Sequence, residues 1–172
     1  FHFLQLQDTR EYIDMADDLQ ILNYALTLEY LEADFYTRGV AANVFSNREH
    51  DLIKTIRDHE TDHVDVLTNT IQTLSGMPAN AATFTHPAGT FTDRATFLKT
   101  AATFEELGVA AYHGQVPFIT NGDILAAAAS IAGVESRHAA ILAGLSGMNP
   151  FPAPIEAHQS MDDVLAAAKP FI

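Results

Sequence analysis

Apolar residues recur at intervals of three and four positions along most of the chain, and strict alternation of apolar and polar residues is rare. This period is typical of α-helices that bury one face. It predicts four long helices: from about Asp17 to Arg38, from about Ser46 to Ser75, from Thr92 or Asp93 to the region of Gly114 and Pro117, and from Asn121–Asp123 to about Leu145. The pattern therefore indicates an all-α protein.

Residues that commonly begin or end helices stand at the boundaries of these segments. Gly39 is placed to end the first helix, and Ser46 is placed to begin the second. Gly76 follows the second helix, where a glycine commonly terminates helical structure. Ser160, with Asp163 three residues later, predicts the start of a short C-terminal helix.

The connection between the second and third helices, from Met77 to Phe91, is rich in Ala, Thr and Pro and has no helical stripe. Two short-loop helix pairs joined by one long crossover is the connectivity of ferritin-like bundles. We therefore predict a single domain over residues 1–172, with a four-helix bundle at about 15–146 and a C-terminal tail at 147–172.

The apolar faces of the four helices are interrupted by charged residues near their middles. Each face has one glutamate, and two faces add a histidine three residues later: Glu29, Glu60 with His63, Glu105, and Glu135 with His138. Burying unpaired carboxylates is costly, and these faces offer no Lys or Arg as partners. A bound cation is the simplest explanation.

The spacing of these residues repeats between the two halves of the chain. Glu105 follows Glu29 by 76 residues, and each member of the second Glu-x-x-His motif follows its counterpart by 75. The two motifs are the only matches to Glu-x-x-His in the sequence. One Glu from each of two helices and Glu-x-x-His from the other two is the ligand pattern of di-iron and di-manganese carboxylate bundles. The donor set suits iron or manganese, whereas zinc would bind but would be redox-silent.

Some residues near this constellation admit two interpretations. Glu105 is favoured over its neighbour Glu106, which points about 100° away around the helix. Glu32 lies one turn beyond Glu29 and is either an extra ligand or a solvated or capped residue. Tyr36 and Tyr112, each seven residues after a ligand glutamate, are either core aromatics or catalytic candidates that support the ligands or take part in redox chemistry. The histidines outside the repeat, including His59, are expected at the surface or in loops.

Composition excludes several classes of function. The formal net charge of −13 and the scattered basic residues argue against nucleic-acid binding. The acidic surface is explained by solubility, or by attraction of cations. The absence of cysteine excludes disulfides, thiolate metal sites and iron–sulfur clusters. No apolar run approaches the ~20 residues of a membrane span.

These motifs resemble those of the ferritin-like proteins that include plant desiccation-related proteins and relatives in fungi, bacteria and archaea. The matching stretches are residues 21–32, 35–36, 60–64, 104–105, 108–112, 128–131 and 134–138. The resemblance covers about residues 15 to 170 and implies the bundle, a dimetal site and frequent export, so a secreted or periplasmic location is expected while a cytoplasmic one stays open.

The resemblance also implies roles for the ligands. Glu60 and Glu135 would bridge the two metals, and the histidines of their motifs would be terminal ligands. Glu29 and Glu105 would be terminal or switching ligands. The fungal relatives often contain cysteines, which this chain lacks, so a disulfide-dependent role does not carry over.

Three functions fit these observations. The first is a di-iron or di-manganese oxidoreductase of oxidase, peroxidase or catalase type, acting on dioxygen, peroxide or superoxide in stress protection. The second is a non-enzymatic, stress-protective bundle that a metal stabilises. The third is iron binding or storage, which would require a large assembly. The sequence also allows a homodimer, and it does not decide among these functions.

Overall fold

Four long α-helices form the body of the protein in a computed structural model, which describes the backbone of residues 2–172 and the side chains from residue 17 onward. The helices are α1 (His2–Ala42), α2 (Asn47–Thr73), α3 (Arg94–Gln115) and α4 (Gly122–Leu145), and the shorter α5 is Met161–Ala168. Short 3₁₀ turns follow α3 and α5 at Val116–Phe118 and Lys169–Phe171. The described residues contain no strand, so the predicted all-α fold with a long crossover before α3 is confirmed.

Side-chain caps stand at the predicted starts of three helices. The Asp93 carboxylate accepts a hydrogen bond from the Thr96 amide at the start of α3. The Asn121 side chain caps α4, and the Ser160 hydroxyl accepts a hydrogen bond from the Asp163 amide at the start of α5. Ser46 occupies the capping position of α2 without forming a side-chain bond. These bonds satisfy amides that the first turn of a helix leaves free.

The boundaries predicted for the first helix are wrong at both ends. Helix α1 begins at His2, not near Asp17, and it continues past Gly39 to Ala42. Continuing an existing helix is easier than starting one, so α1 extends beyond its apolar stripe. Gly39 lies inside the helix, where the Phe97 ring packs against it and a Cβ would overlap the ring. The chain turns instead at Asn43, which has a φ of 55°.

The core consists of apolar clusters on both sides of the mid-helix glutamates. One cluster is centred on Phe35, which stacks on Phe97 with ring centroids 4.5 Å apart and meets Phe104 edge-on at 5.1 Å. The other includes Leu26 and Ile71. Burying side chains of this size stabilises the fold by roughly 1.5–3 kcal/mol each. The two clusters hold the four helices in register around the polar layer between them.

Two glycines in the helices give a matched test of packing. Gly114 lies against the backbone of Gln159, and a Cβ there would overlap the Gln159 carbonyl oxygen, whereas nothing lies within 4 Å of a Cβ added at Gly133. We expect Gly114→Ala to destabilise the protein by about 1–3 kcal/mol because the C-terminal segment must shift. Gly133→Ala should stabilise it by about 0.5–1 kcal/mol. Urea unfolding of both variants measures this, and equal effects would contradict the described docking of the segment.

Candidate metal centre

The six residues predicted as ligands converge in the middle of the bundle. Four glutamates and two histidines, 0 to 7% exposed, project inward from the four long helices: Glu29, Glu60, His63, Glu105, Glu135 and His138. Three-residue spacing puts both members of each Glu-x-x-His motif on the same helical face. The alternative ligand Glu106 is exposed at the surface. The structure therefore brings together the predicted set and leaves Glu106 outside it.

The donor atoms form two overlapping groups, and within each group they all lie within 4.8 Å of one another. Glu29 and His63 belong only to the first group, and Glu105 and His138 belong only to the second. The glutamates of the two Glu-x-x-His motifs belong to both groups. This arrangement is compatible with two metal ions that share two bridging carboxylates.

Glu60 shows the sharing most directly. Its Oε2 atom lies 2.9 Å from Nδ1 of His63, and its Oε1 atom lies 2.9 Å from Nδ1 of His138. Nδ1 of His63 is also 3.1 Å from Oε1 of Glu135. The two oxygens of one carboxylate thus serve different groups, as a bridging ligand requires.

Several of these atoms lack hydrogen-bond partners. Both oxygens of Glu135, Oε1 of Glu60, Oε2 of Glu105 and Nδ1 of His138 are buried without a partner of suitable geometry. The Lys and Arg ion pairs of residues 17–172 all lie elsewhere. Buried polar atoms without partners are costly, and divalent cations would satisfy them. Four carboxylates also balance the charge of two divalent ions, so the residues present fit a dinuclear metal site.

Two tyrosines make hydrogen bonds across the bundle, between α1 and α3, to the glutamates that belong to only one group each. The Tyr36 hydroxyl in α1 donates a 2.5 Å hydrogen bond to Oε1 of Glu105 in α3. The Tyr112 hydroxyl in α3 donates a bond of the same length to Oε1 of Glu29 in α1. Burial raises the pKa of both hydroxyls, which keeps them protonated as donors. The residues that repeat in the sequence therefore contact one another reciprocally in the structure. Each tyrosine bonds one oxygen of its glutamate and leaves the other oxygen available to a metal.

Glu32 belongs to neither group, although its side chain is buried. Its sequence counterpart is Gly108, and a Cβ added to that glycine would lie 3.4 Å from Oε1 of Glu32 and 3.2 Å from Oε2 of Glu135. The missing side chain thus makes room for two carboxylates. Burial raises the pKa of Glu32, and the charge of Glu135 raises it further. This placement contradicts a solvated Glu32 and puts a fifth carboxylate beside the cluster.

The cluster keeps protons when no cation is bound. Burial raises the pKa of Glu135 well above its ordinary value, and Glu60 and Glu105 raise it further by repulsion. Burial also raises the pKa of Glu60 to about 7, although the two imidazoles lower it. Burial lowers the pKa of His63 and of His138, but neighbouring carboxylates outweigh it and raise these values to about 12 and about 9. Metal binding must therefore displace protons.

His59 is a part of the site that the sequence prediction missed. Nδ1 of His59 lies 2.9 Å from Nε2 of His138, and the two rings stack with centroids 5.2 Å apart. If Nδ1 of His138 binds a metal, its Nε2 carries the proton and donates to His59, which fixes the tautomer. The expectation of a surface histidine was wrong. Its position four residues before His63, on the same helical face, was the available signal.

We expect His59→Ala to weaken metal binding in the group containing His138 by about 10–100-fold, because the imidazole loses its orienting partner. His59→Asn should retain most of the affinity, since its amide oxygen can accept the same hydrogen bond. Calorimetric titration with Zn(II) measures the affinities of both variants. His158→Ala, at an exposed position, is the control. Equal affinities for wild type and His59→Ala would show that the contact has no role in binding.

Fold and site together define a four-helix bundle with a buried Glu/His cluster compatible with two metal ions. Residues 17–148 match the family described as the ferritin-like domain. The chain belongs to this ferritin-like family. No curated protein sequence matches it significantly.

Solved structures share this fold. The crystal structure of ferritin-like, diiron-carboxylate proteins from Bacillus anthracis str. Ames has a TM-score of 0.65 and 20% identity, covering 77% of this chain and 97% of that one. A conserved hypothetical protein from Mycobacterium tuberculosis has a TM-score of 0.67 and 16% identity, covering 85% of this chain and 99% of that one. At these identities the similarity demonstrates the fold.

Proposed function

We propose that the protein is a dinuclear iron or manganese carboxylate protein that carries out oxidoreductase chemistry on a small oxidant, in protection against stress. The observation that carries the proposal is the Glu60 carboxylate, whose two oxygens lie 2.9 Å from the imidazoles of different donor groups. The name of the Bacillus anthracis structure, a diiron-carboxylate protein, supports the choice of iron.

The residues have distinct roles in this proposal. Glu60 and Glu135 would bridge two ions, and each ion would take one further glutamate and one histidine. When bound, the two metal ions would supply two electrons to an oxidant. The tyrosine hydroxyls hold the terminal glutamates in place, and the apolar clusters on both sides exclude bulk water from the cluster.

The test is anaerobic titration with Fe(II), followed by separate exposure to dioxygen, hydrogen peroxide and superoxide. We expect saturation at about two Fe(II) per chain, followed by oxidation and an absorption change with at least one of the three oxidants. Saturation at two ions with no reaction toward any oxidant would refute the redox function. Binding of fewer than one ion would refute the dinuclear site as well.

A structural metal is the second candidate, and the buried atoms without partners favour it. Any divalent cation would satisfy those atoms, including redox-silent zinc. On this hypothesis Zn(II) and Fe(II) stabilise the bundle equally, and the iron-loaded protein is inert toward oxidants. Comparing thermal unfolding of the two loaded forms with their oxidant reactivity separates the two functions.

A further inference from the structure

An apolar cavity lies beside the metal centre, between the four long helices. Its wall includes Leu22 and Ala25 of α1, Leu67 of α2, Tyr112 of α3, and Ala128 and Ile131 of α4. The centre of a water-sized molecule could occupy about 30 Å³ of this space. That exceeds the roughly 10–15 Å³ that one water requires, so the cavity has room for a small molecule of two or three heavy atoms.

Tyr112 connects the cavity to the candidate metal centre. Tyr112 forms part of its wall, and the hydroxyl of the same residue donates its hydrogen bond to Glu29. A molecule in the cavity therefore lies against the side chain that holds Glu29. The cavity is partly open to solvent, so small molecules can enter it from outside.

Almost all of the exposed surface of the wall is apolar, and its polar residues are Tyr24, Thr70, Tyr112 and Gln115. The Thr70 hydroxyl donates its hydrogen bond to the Val66 carbonyl, and the Tyr112 hydroxyl donates its own to Glu29. The Tyr24 hydroxyl is buried without a partner, and it provides one bond where a buried water makes about three. Apolar cavities of this kind stay dry and take apolar guests such as xenon.

This polarity discriminates among small oxidants. Superoxide is an anion, and moving it into an apolar space without a cation is costly. Hydrogen peroxide would lose hydrogen bonds to water that this wall cannot replace. Dioxygen is neutral and apolar, and it loses nothing comparable. Its two atoms also match the small volume.

We propose that this cavity takes up dioxygen and delivers it to the metal centre beside Tyr112, which makes dioxygen the oxidant of the site. The inference rests on the proposed redox function and narrows its substrate to a neutral, apolar diatomic molecule. The same cavity excludes larger organic molecules because of its size.

Xenon is the probe for the cavity, and the whole protein is used without metal and then with iron. Ala128 is half-buried in the wall, so Ala128→Leu fills the space, and Ala128→Val fills it more mildly if the larger residue impairs folding. Ala126→Leu makes the same change at an exposed position of the same helix. We expect xenon to bind wild type and Ala126→Leu, and to bind Ala128→Leu about tenfold more weakly. The ¹²⁹Xe NMR signal measures this binding.

Iron-loaded protein supplies the second readout. Ala128→Leu should raise the KM for dioxygen by roughly tenfold and leave kcat nearly unchanged, because the variant alters delivery and not the metal ligands. Absence of xenon binding to wild type, or the same KM for both leucine variants, would overturn the proposal. If the iron-loaded protein consumes no dioxygen, this inference fails, and its reaction with hydrogen peroxide or superoxide then decides whether the proposed redox function still holds.

Discussion

Glu60→Gln is expected to reduce the metal content from about two ions per chain to one or fewer, the largest loss from any single substitution at this site. The amide keeps the size of the side chain but lacks the charge and the second anionic oxygen that would serve both donor groups. Metal analysis after equilibration with Mn(II) and removal of free ions measures the content. The exposed Glu106→Gln variant controls for general loss of acidity.

The same substitution should change stability in opposite directions with and without metal. Without metal, the variant removes one charge from a cluster of mutually repelling buried carboxylates, so it should be more stable than wild type. With metal, wild type gains about 2.7 kcal/mol for each site at a hundredfold excess over Kd, and the variant gains less than half of the total. A variant that still holds two ions would show that Glu60 is not a bridging ligand. A variant that is less stable than wild type without metal would show that the Glu60 charge does not destabilise the metal-free cluster.

Metal-free protein is expected to lose stability as the pH rises from about 5 to about 9, by on the order of 1–3 kcal/mol. The folded-state pKa of Glu60 is raised to about 7 and that of His138 to about 9. A raised pKa means that the folded state binds more protons than the unfolded state. The stabilisation is complete below the ordinary pKa of each group, and it is lost as the pH passes through the raised value.

Metal-loaded protein should show the reverse trend over the same interval. Its ligands must release their protons to bind a cation, so binding tightens as the pH rises. Urea unfolding of the metal-free and Zn(II)-loaded protein at several pH values measures both slopes. The exposed His158→Gln variant should leave the two slopes unchanged. Parallel slopes for the two forms would mean that the buried cluster does not exchange protons for metal.

The same buried carboxylates that would bind cations also destabilise the metal-free protein. Five buried carboxylates face two histidines. Burial raises the pKa of Glu32 and of Glu135, and repulsion from neighbouring carboxylates raises both further. Packed apolar clusters around Phe35 and Leu26 hold them together. The fold therefore holds the carboxylates in place for cations, and this arrangement lowers the stability of the metal-free protein.

The sequence by itself determined the bundle and the six residues that meet at its centre. Helical periodicity and the three-residue spacing within Glu60–His63 and Glu135–His138 are local properties, so they can be read without knowing which helices meet. The capping residues Asp93, Asn121 and Ser160 act within a single turn and were predictable for the same reason.

Tertiary structure alone decided the contacts between helices. The hydrogen bond from Tyr36 to Glu105, the contact of His59 with His138 and the Gly39 position under the Phe97 ring all join residues distant in sequence. No local pattern distinguishes such residues from ordinary core or surface positions. The same holds for the cavity beside Tyr112, because empty space depends on how four helices pack together and not on the residues of any one of them.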